Sequence, residues 1–106
     1  KIDWTFTATN NAMKIRSLQP YPTSYTAFRD KRLTIWKAKP VETDSVEGIE
    51  ADQPGTIVKI TKESIYVACG SVTVLELIEL QPEGKKRVAA RDMINAAKPA
   101  VGEVMG

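Results

Sequence analysis

The side chains in this sequence that suggest a chemistry are cations, and they occur in groups. The tightest group is Lys85–Arg87, directly after a Pro-Glu-Gly turn. Lysine and arginine clusters with aromatic residues nearby are typical of surfaces that bind a phosphate backbone. The candidate residues for binding such a backbone are therefore Lys14, Arg16, Arg29, Lys31, Arg32, Lys85, Lys86, Arg87 and Arg91.

The formal net charge is only +2, but the charges are unevenly distributed. Segment 41–54 contains five of the thirteen carboxylates and none of the fifteen cations, so the rest of the chain carries +7. A basic body of this kind favours a polyanionic partner. The alternative is that the cations are ordinary solvated surface, since lysine and arginine are mostly exposed in any protein.

The composition argues against catalysis by this chain alone. It contains no histidine, which removes the usual general base at neutral pH and the commonest zinc ligand. The single cysteine, Cys69, lies in an apolar run and is interpreted as a small buried hydrophobe, which fits the reducing cytoplasm. We therefore predict no catalytic residue, no cofactor and no metal in this chain. No apolar run approaches the roughly 20 residues of a membrane span, so no membrane contact is expected.

The basic groups are positioned by strands. Three runs rich in β-branched and aliphatic residues, Gly55–Lys62, Ser64–Cys69 and Val72–Gln81, predict a central set of strands with a tight turn at Gly70-Ser71. Two earlier runs, Tyr25–Phe28 and Arg32–Lys39, predict a hairpin closed by residues 29–31.

Helices are predicted at both ends of the chain. The first is expected to be capped by Asp3 or Thr5 and to end before Pro20. Its apolar face comprises Trp4, Ala8, Ala12, Ile15 and Leu18. The second is expected at Ala90–Lys98, with Met93, Ile94 and Ala97 facing inward.

The remaining segments are predicted to be irregular. The acidic residues 41–54 are expected to form a mobile loop, and tail 101–106 to pack without regular structure. Tyr21 and Trp36 are interpreted as packing residues; the alternatives are a direct ligand contact for Tyr21 and a platform for a stacked base for Trp36. The whole pattern indicates a mainly β domain with one or two short helices, either a small Greek-key barrel or a β-sandwich.

Several strings resemble the C-terminal domain of methionyl-tRNA formyltransferases, in order and over nearly the whole chain. They are Ile2–Trp4, Lys14–Pro22, Lys31–Ala38, Pro54–Ile57, Val67–Gly70 and Leu77–Arg87, the last reading LIELQPEGKKR. Tyr21 departs from the tryptophan more often expected there, and the Thr- and Asn-rich segment 5–11 departs from a better helix former.

The resemblance implies an OB-like Greek-key β-barrel and a single domain, 1–106, belonging to a longer enzyme. In that family a separate N-terminal α/β domain carries the catalytic Asn, His and Asp, none of which maps here. The parent would transfer a formyl group from 10-formyltetrahydrofolate to initiator methionyl-tRNA, in the cytoplasm or an organellar matrix. This domain would bind the tRNA backbone through basic surface.

Two other functions remain open at this stage. Sibling formyltransferases that act on amino sugars, and folate-dependent hydrolases, have similar C-terminal domains but do not need a strongly basic body. The chain is alternatively a stand-alone OB-type nucleic-acid-binding module. The +7 charge outside segment 41–54 favours the tRNA enzyme.

Overall fold

A computed structural model describes residues 1–41 and 53–106 as a six-stranded antiparallel sheet with two helices. The elements are α1 (Ala8–Ser17), β1 (Ser24–Phe28), β2 (Lys31–Val41), β3 (Ile57–Ile60), β4 (Ile65–Cys69), β5 (Thr73–Pro82), β6 (Val88–Ala89) and α2 (Ala90–Ala97). The mainly β class with two short helices is confirmed. Of the predicted mobile loop, 41–54, positions 42–52 lie outside the described residues, and Val41 is the last residue of β2.

The strand order explains how distant segments meet. The path is β1-β2-β5-β4-β3, and β6 adds a second partner to β5. Strands β3, β4 and β5 form a meander, and the connection from β2 to β3 lets β2 lie beside β5, which is a Greek-key arrangement. Strand β6 was not predicted, because two residues give no periodicity.

Within the described residues, β1 and β3 do not pair, and the C-terminal tail lies between these two edge strands. Val104 bridges to Thr56, and the Met105 N–H donates to the Gly55 carbonyl at 2.7 Å. The Gly106 N–H then donates to the carbonyl of Ala27 in β1 at 2.8 Å. The tail thus joins the two edges without closing the sheet by strand pairing, and the OB-like description stays a prediction.

The core follows the alternation of the strands. In β2 the buried residues are Leu33 and Ile35, whereas Thr34 and Trp36 on the other face are only partly covered. The same inner surface receives the other strands, both helices and the tail, through Ile15, Ile57, Ile65, Val67, Leu75, Leu77, Leu80, Met93 and Met105. Burial of this apolar surface is the main force that holds the sheet against the helices.

The first helix starts later than predicted. Thr7 is its N-cap, and its side chain accepts a hydrogen bond from the Asn10 N–H at 3.2 Å. Asp3 instead accepts from the Thr5 N–H at 2.9 Å, in a local turn before the helix. Trp4 therefore lies outside the helix, where its indole N–H donates to the Thr26 hydroxyl at 2.9 Å. The prediction that Trp4 belongs to the apolar face of the first helix was therefore wrong.

The hairpin of β1 and β2 closes with a tighter turn than predicted. Arg29 and Asp30 have φ values of 52° and 64°, so both turn residues are left-handed, as in the two-residue turns that match strand twist. Strand β2 then runs from Lys31, directly opposite Phe28. In the described part of the chain, no helix has the length and apolar character needed to cross a membrane.

Candidate nucleic-acid interface

Strand register gathers two of the predicted basic groups. Strand β2 is antiparallel to β5 with Leu33 opposite Pro82, so the beginning of β2 and the end of β5 lie at the same edge. The turn after β5 is fixed by the Lys85 N–H, which donates to the Pro82 carbonyl at 3.0 Å. The cations brought to this edge are Lys31 and Arg32 from β2 and Lys85 and Lys86 from the turn.

These cations surround a cavity of about 520 Å³ between the two turns and α2. Its apolar lining includes Leu33, Met93 and Val88. Ala96 and Ala97 complete the wall on the helix, where small side chains leave the space open. The volume lies in the range of ordinary ligand pockets. We call this feature the basic-rimmed cavity.

The rim carries more positive than negative charge. Among residues 1–41 and 53–106, none of its four cations forms an ion pair. Arg32 is held by stacking, since its guanidinium carbon lies 4.0 Å from the centroid of the Tyr25 ring. Two carboxylates, Glu83 and Asp92, also line the cavity, and Glu83 accepts a hydrogen bond from the Arg32 backbone N–H at 3.2 Å. The rim therefore offers unpaired cations to an anion.

Arg29 differs from the four rim cations because its guanidinium is hydrogen-bonded within the protein. Its Nε and Nη2 atoms each lie 2.9 Å from a carboxylate oxygen of Glu103, and Nη1 donates to the Ala97 carbonyl at 2.7 Å. A cation at the last turn of a helix also interacts favourably with the helix dipole. Arg29 thus joins the hairpin, the end of α2 and the tail, and its predicted contact with RNA stays a prediction.

The pair of Arg29 and Glu103 gives the fold a pH dependence. Hydrogen bonds from Arg29, and next from the Ala100 N–H, hold the pKa of the Glu103 carboxyl below its ordinary value of 4.5. A depressed folded-state pKa means that the stabilisation is complete above the unfolded-state pKa and is lost as the pH falls through the folded-state pKa. We expect the wild type to have a higher Tm than Glu103→Gln at pH 7. This difference in Tm should shrink below about pH 4.5. Asp3 titrates in both proteins and cancels in this difference; a constant difference down to pH 3 would contradict the prediction.

Arg87 is also engaged within the protein. Its guanidinium lies 2.7 Å from Glu79 and stacks 4.6 Å from the centroid of the Trp36 ring. The Trp36 indole N–H donates to the Gln81 side chain at 2.9 Å, and the Gln81 amide donates to the Lys85 carbonyl at 3.0 Å. This network holds the basic turn against the outer face of the sheet. Trp36 is therefore a half-buried packing residue whose ring is partly covered by Arg87.

The other candidate cations lie elsewhere. Arg91 and Lys62 line a second, more open depression on the far side of α2. On α1, the Lys14 ammonium lies 4.3 Å from the centroid of the Phe6 ring, and Arg16 is exposed in the last turn. The structure thus brings five of the nine predicted residues to the basic-rimmed cavity, four as rim cations without an ion pair and Arg29 paired with Glu103, and it separates the other four.

One aromatic interpretation was wrong. Tyr21 was expected to pack at the core or its rim, yet 87% of its surface is exposed. Tyr21 lies in the turn between α1 and β1, which the Thr23 N–H closes by donating to the Leu18 carbonyl at 2.8 Å, and its ring stays outside the core.

The cysteine behaves as predicted. Cys69 is buried with 2% exposure, and burial raises the pKa of its thiol to about 11 although Asn11 donates a weak hydrogen bond to it at 3.8 Å. We expect the folded chain to resist a thiol reagent such as dithionitrobenzoate at pH 8, because the thiol is both inaccessible and protonated. Full, rapid labelling in denaturant is the positive control. Rapid labelling of the native protein would show that β4 opens readily.

Comparison with known proteins adds a family to this geometry. A family model described as "Formyl transferase, C-terminal domain" matches residues 1–98. The chain belongs to the formyl transferase C-terminal domain family. Its curated relatives include methionyl-tRNA formyltransferases of Bacillus subtilis, 38% identical over 105 residues, and of Halalkalibacterium halodurans, 36% identical over 108 residues. These alignments cover 99% and 100% of this chain but 32% of each relative. This formyl transferase C-terminal domain thus spans about a third of the length of the proteins it matches.

Sequence reasoning missed the side chains that shape the basic-rimmed cavity of this formyl transferase C-terminal domain. Tyr25, Gln81 and Glu79 orient its cations or its turn, and each lay in a segment assigned only to a strand. The helix residue Ala96 faces the cavity, outside the predicted inward set. The cavity depends on the register of β2 against β5. That register pairs positions far apart in the chain, so no local sequence pattern signals the cavity.

Proposed function

We propose that this chain is the tRNA-positioning C-terminal domain of a methionyl-tRNA formyltransferase. The observation that carries the proposal is the convergence of Lys31, Arg32, Lys85 and Lys86 on one edge without ion pairs to the described residues. The curated relatives named above, which carry that enzyme's name, support it. A sibling formyltransferase for amino sugars is less favoured, because an amino sugar has no phosphate backbone for four unpaired cations to bind.

The expected role is to bind and orient the RNA rather than to react with it. Cations that contact phosphates fix the register of a nucleic acid without reading its sequence. Such contacts act over roughly 8 Å at physiological ionic strength, so the rim cations would guide the RNA only at close approach. Orientation of this kind lowers the entropic barrier of a reaction that occurs in another domain.

The chemistry is assigned to the rest of the enzyme. 10-Formyltetrahydrofolate would donate the formyl group in the N-terminal α/β domain, and we assign no residue of this chain to it. The chain by itself is therefore proposed to be inactive in formyl transfer. The cytoplasm, or an organellar matrix, is the proposed location because a single buried thiol suits a reducing compartment.

Retention of initiator tRNA by the 106-residue chain, measured by filter binding across a salt series, tests the proposal. If the four rim cations contact phosphates, log K should fall against log salt with a slope of about −3 or steeper. Polyuridylate and inorganic phosphate serve as competitors that distinguish RNA binding from binding of any anion. The proposed function would be contradicted if no tRNA were retained at 50 mM salt, or if retention did not change across the salt series.

A further inference from the structure

The basic-rimmed cavity has an apolar interior that phosphate binding does not use. Leu33 and Met93, which are 2% and 4% exposed, form part of its lining together with Phe28. A duplex presents phosphates on a convex surface and cannot insert a group into a recess between two turns and a helix. An occupant that fills the cavity and contacts its rim therefore combines an apolar body with a negative charge beside it.

We propose that this cavity binds one unstacked nucleotide of the RNA, with its base in the apolar recess and its phosphates on the rim. The inference deepens the proposed function and rests on it. Unpaired bases are commonly held against apolar or aromatic side chains and on guanidinium planes. Arg32, which lines the cavity, carries such a plane, and the plane is stacked on the Tyr25 ring.

Charge complementarity favours this occupant over an uncharged one. Lys31 and Arg32 from β2 and Lys85 and Lys86 from the turn after β5 all line the cavity, so the phosphates that flank an extruded nucleotide have cations to contact. Asp92 and Glu83 line the same cavity and offer acceptor oxygens. Bases with an exocyclic amine can donate a hydrogen bond to such oxygens, whereas uracil has no exocyclic amine.

The cavity can be blocked without touching the core. Ala96 is exposed and lines the cavity from α2, so Ala96→Trp fills the recess with an indole. Asn95 precedes it on the same helix, is also exposed and lines the other depression. Asn95→Trp is therefore the control, because it places the same indole at the neighbouring exposed position of α2 and also leaves the charge unchanged.

The first experiment measures binding of nucleoside 5′-monophosphates and of ribose 5-phosphate to the 106-residue chain by NMR. We expect AMP and CMP to shift the signals of Met93, Val88 and Ala97, and ribose 5-phosphate to shift only signals of the rim. Ala96→Trp should lose the shifts that depend on the base, whereas Asn95→Trp should keep them. Equal shifts with ribose 5-phosphate and with nucleotides would overturn the inference, as would filling of the cavity by laurate but not by nucleotides.

The second experiment measures tRNA affinity. Ala96→Trp should bind tRNA about tenfold more weakly than wild type, because one stacked base contact is lost. The salt slope should not change, because the phosphate contacts remain. Equal affinities for Ala96→Trp and wild type would overturn the cavity inference and leave the proposed function standing. Failure of wild type to bind tRNA at all would remove the proposed function, and the nucleotide titration would then judge the cavity alone. Circular dichroism and the NMR spectrum of each free variant establish that it is folded.

Discussion

Replacing Lys31, Arg32, Lys85 and Lys86 together by alanine is expected to weaken tRNA binding by about two to three orders of magnitude near 0.15 M salt. The physical reason is counterion release, since each phosphate contact contributes about 0.7 to 0.9 to the slope of log K against log salt. The magnitude of that slope should therefore fall by about 3. Different tRNAs should lose affinity by similar factors, because backbone contacts do not read sequence.

The matched control removes the same charge from another part of the surface. Lys1, Lys37, Lys39 and Lys62 lie near the N-terminus, along β2 and between β3 and β4; all four are exposed, and none is a candidate RNA-binding residue. Their replacement by alanine should leave the slope nearly unchanged, although the lower net charge weakens binding modestly. Filter binding of the three proteins at several salt concentrations is the measurement. An equal loss of slope in both quadruple variants would mean that the cations act through the net charge and not through a defined edge.

The cationic edge shows how much of the site was readable from the sequence. The basic groups and the turn before Lys85 were predicted from local patterns, because prolines, glycines and charged runs act over a few residues. Their meeting depends on Leu33 pairing with Pro82, which joins positions far apart in the chain. The engagement of Arg29 by Glu103 is equally distant, so the residue's type predicted its charge but not its partner.

The fold divides in the same way. Runs of β-branched residues predicted β3, β4 and β5 with ends close to those observed, because side-chain alternation is a local signal. The start of α1 was misplaced because a distant residue contributes to it. The Ala8 N–H donates to the Thr73 hydroxyl at 2.8 Å, so tertiary contact as well as the Thr7 cap fixes where the helix begins. Several residues before Thr7 are polar and would have served as caps in isolation.

The segment before α1 is anchored by a glycine, and Gly70→Ala is expected to destabilise the fold by about 2–4 kcal/mol. The Gly70 N–H donates to the carbonyls of Trp4 and Phe6, both at 2.9 Å. A Cβ atom at this position would lie 1.8 Å from the Thr5 carbonyl oxygen, which is backbone and cannot rotate away. The segment must therefore move, and the buried Trp4 ring would lose packing with it.

Gly84→Ala separates steric overlap from the general effect of replacing glycine. Gly84 has φ of 75°, and no heavy atom lies within 4 Å of a Cβ built there, so only the cost of a left-handed alanine, about 1 kcal/mol, is expected. Urea unfolding followed by circular dichroism gives both free energies. Equal losses of unfolding free energy in the two variants would show that the N-terminal segment moves away from a Cβ atom at position 70 at little energetic cost. Folded Gly70→Ala should still bind tRNA, because Thr5 and Phe6, the neighbours its new methyl group would strike, do not line the basic-rimmed cavity.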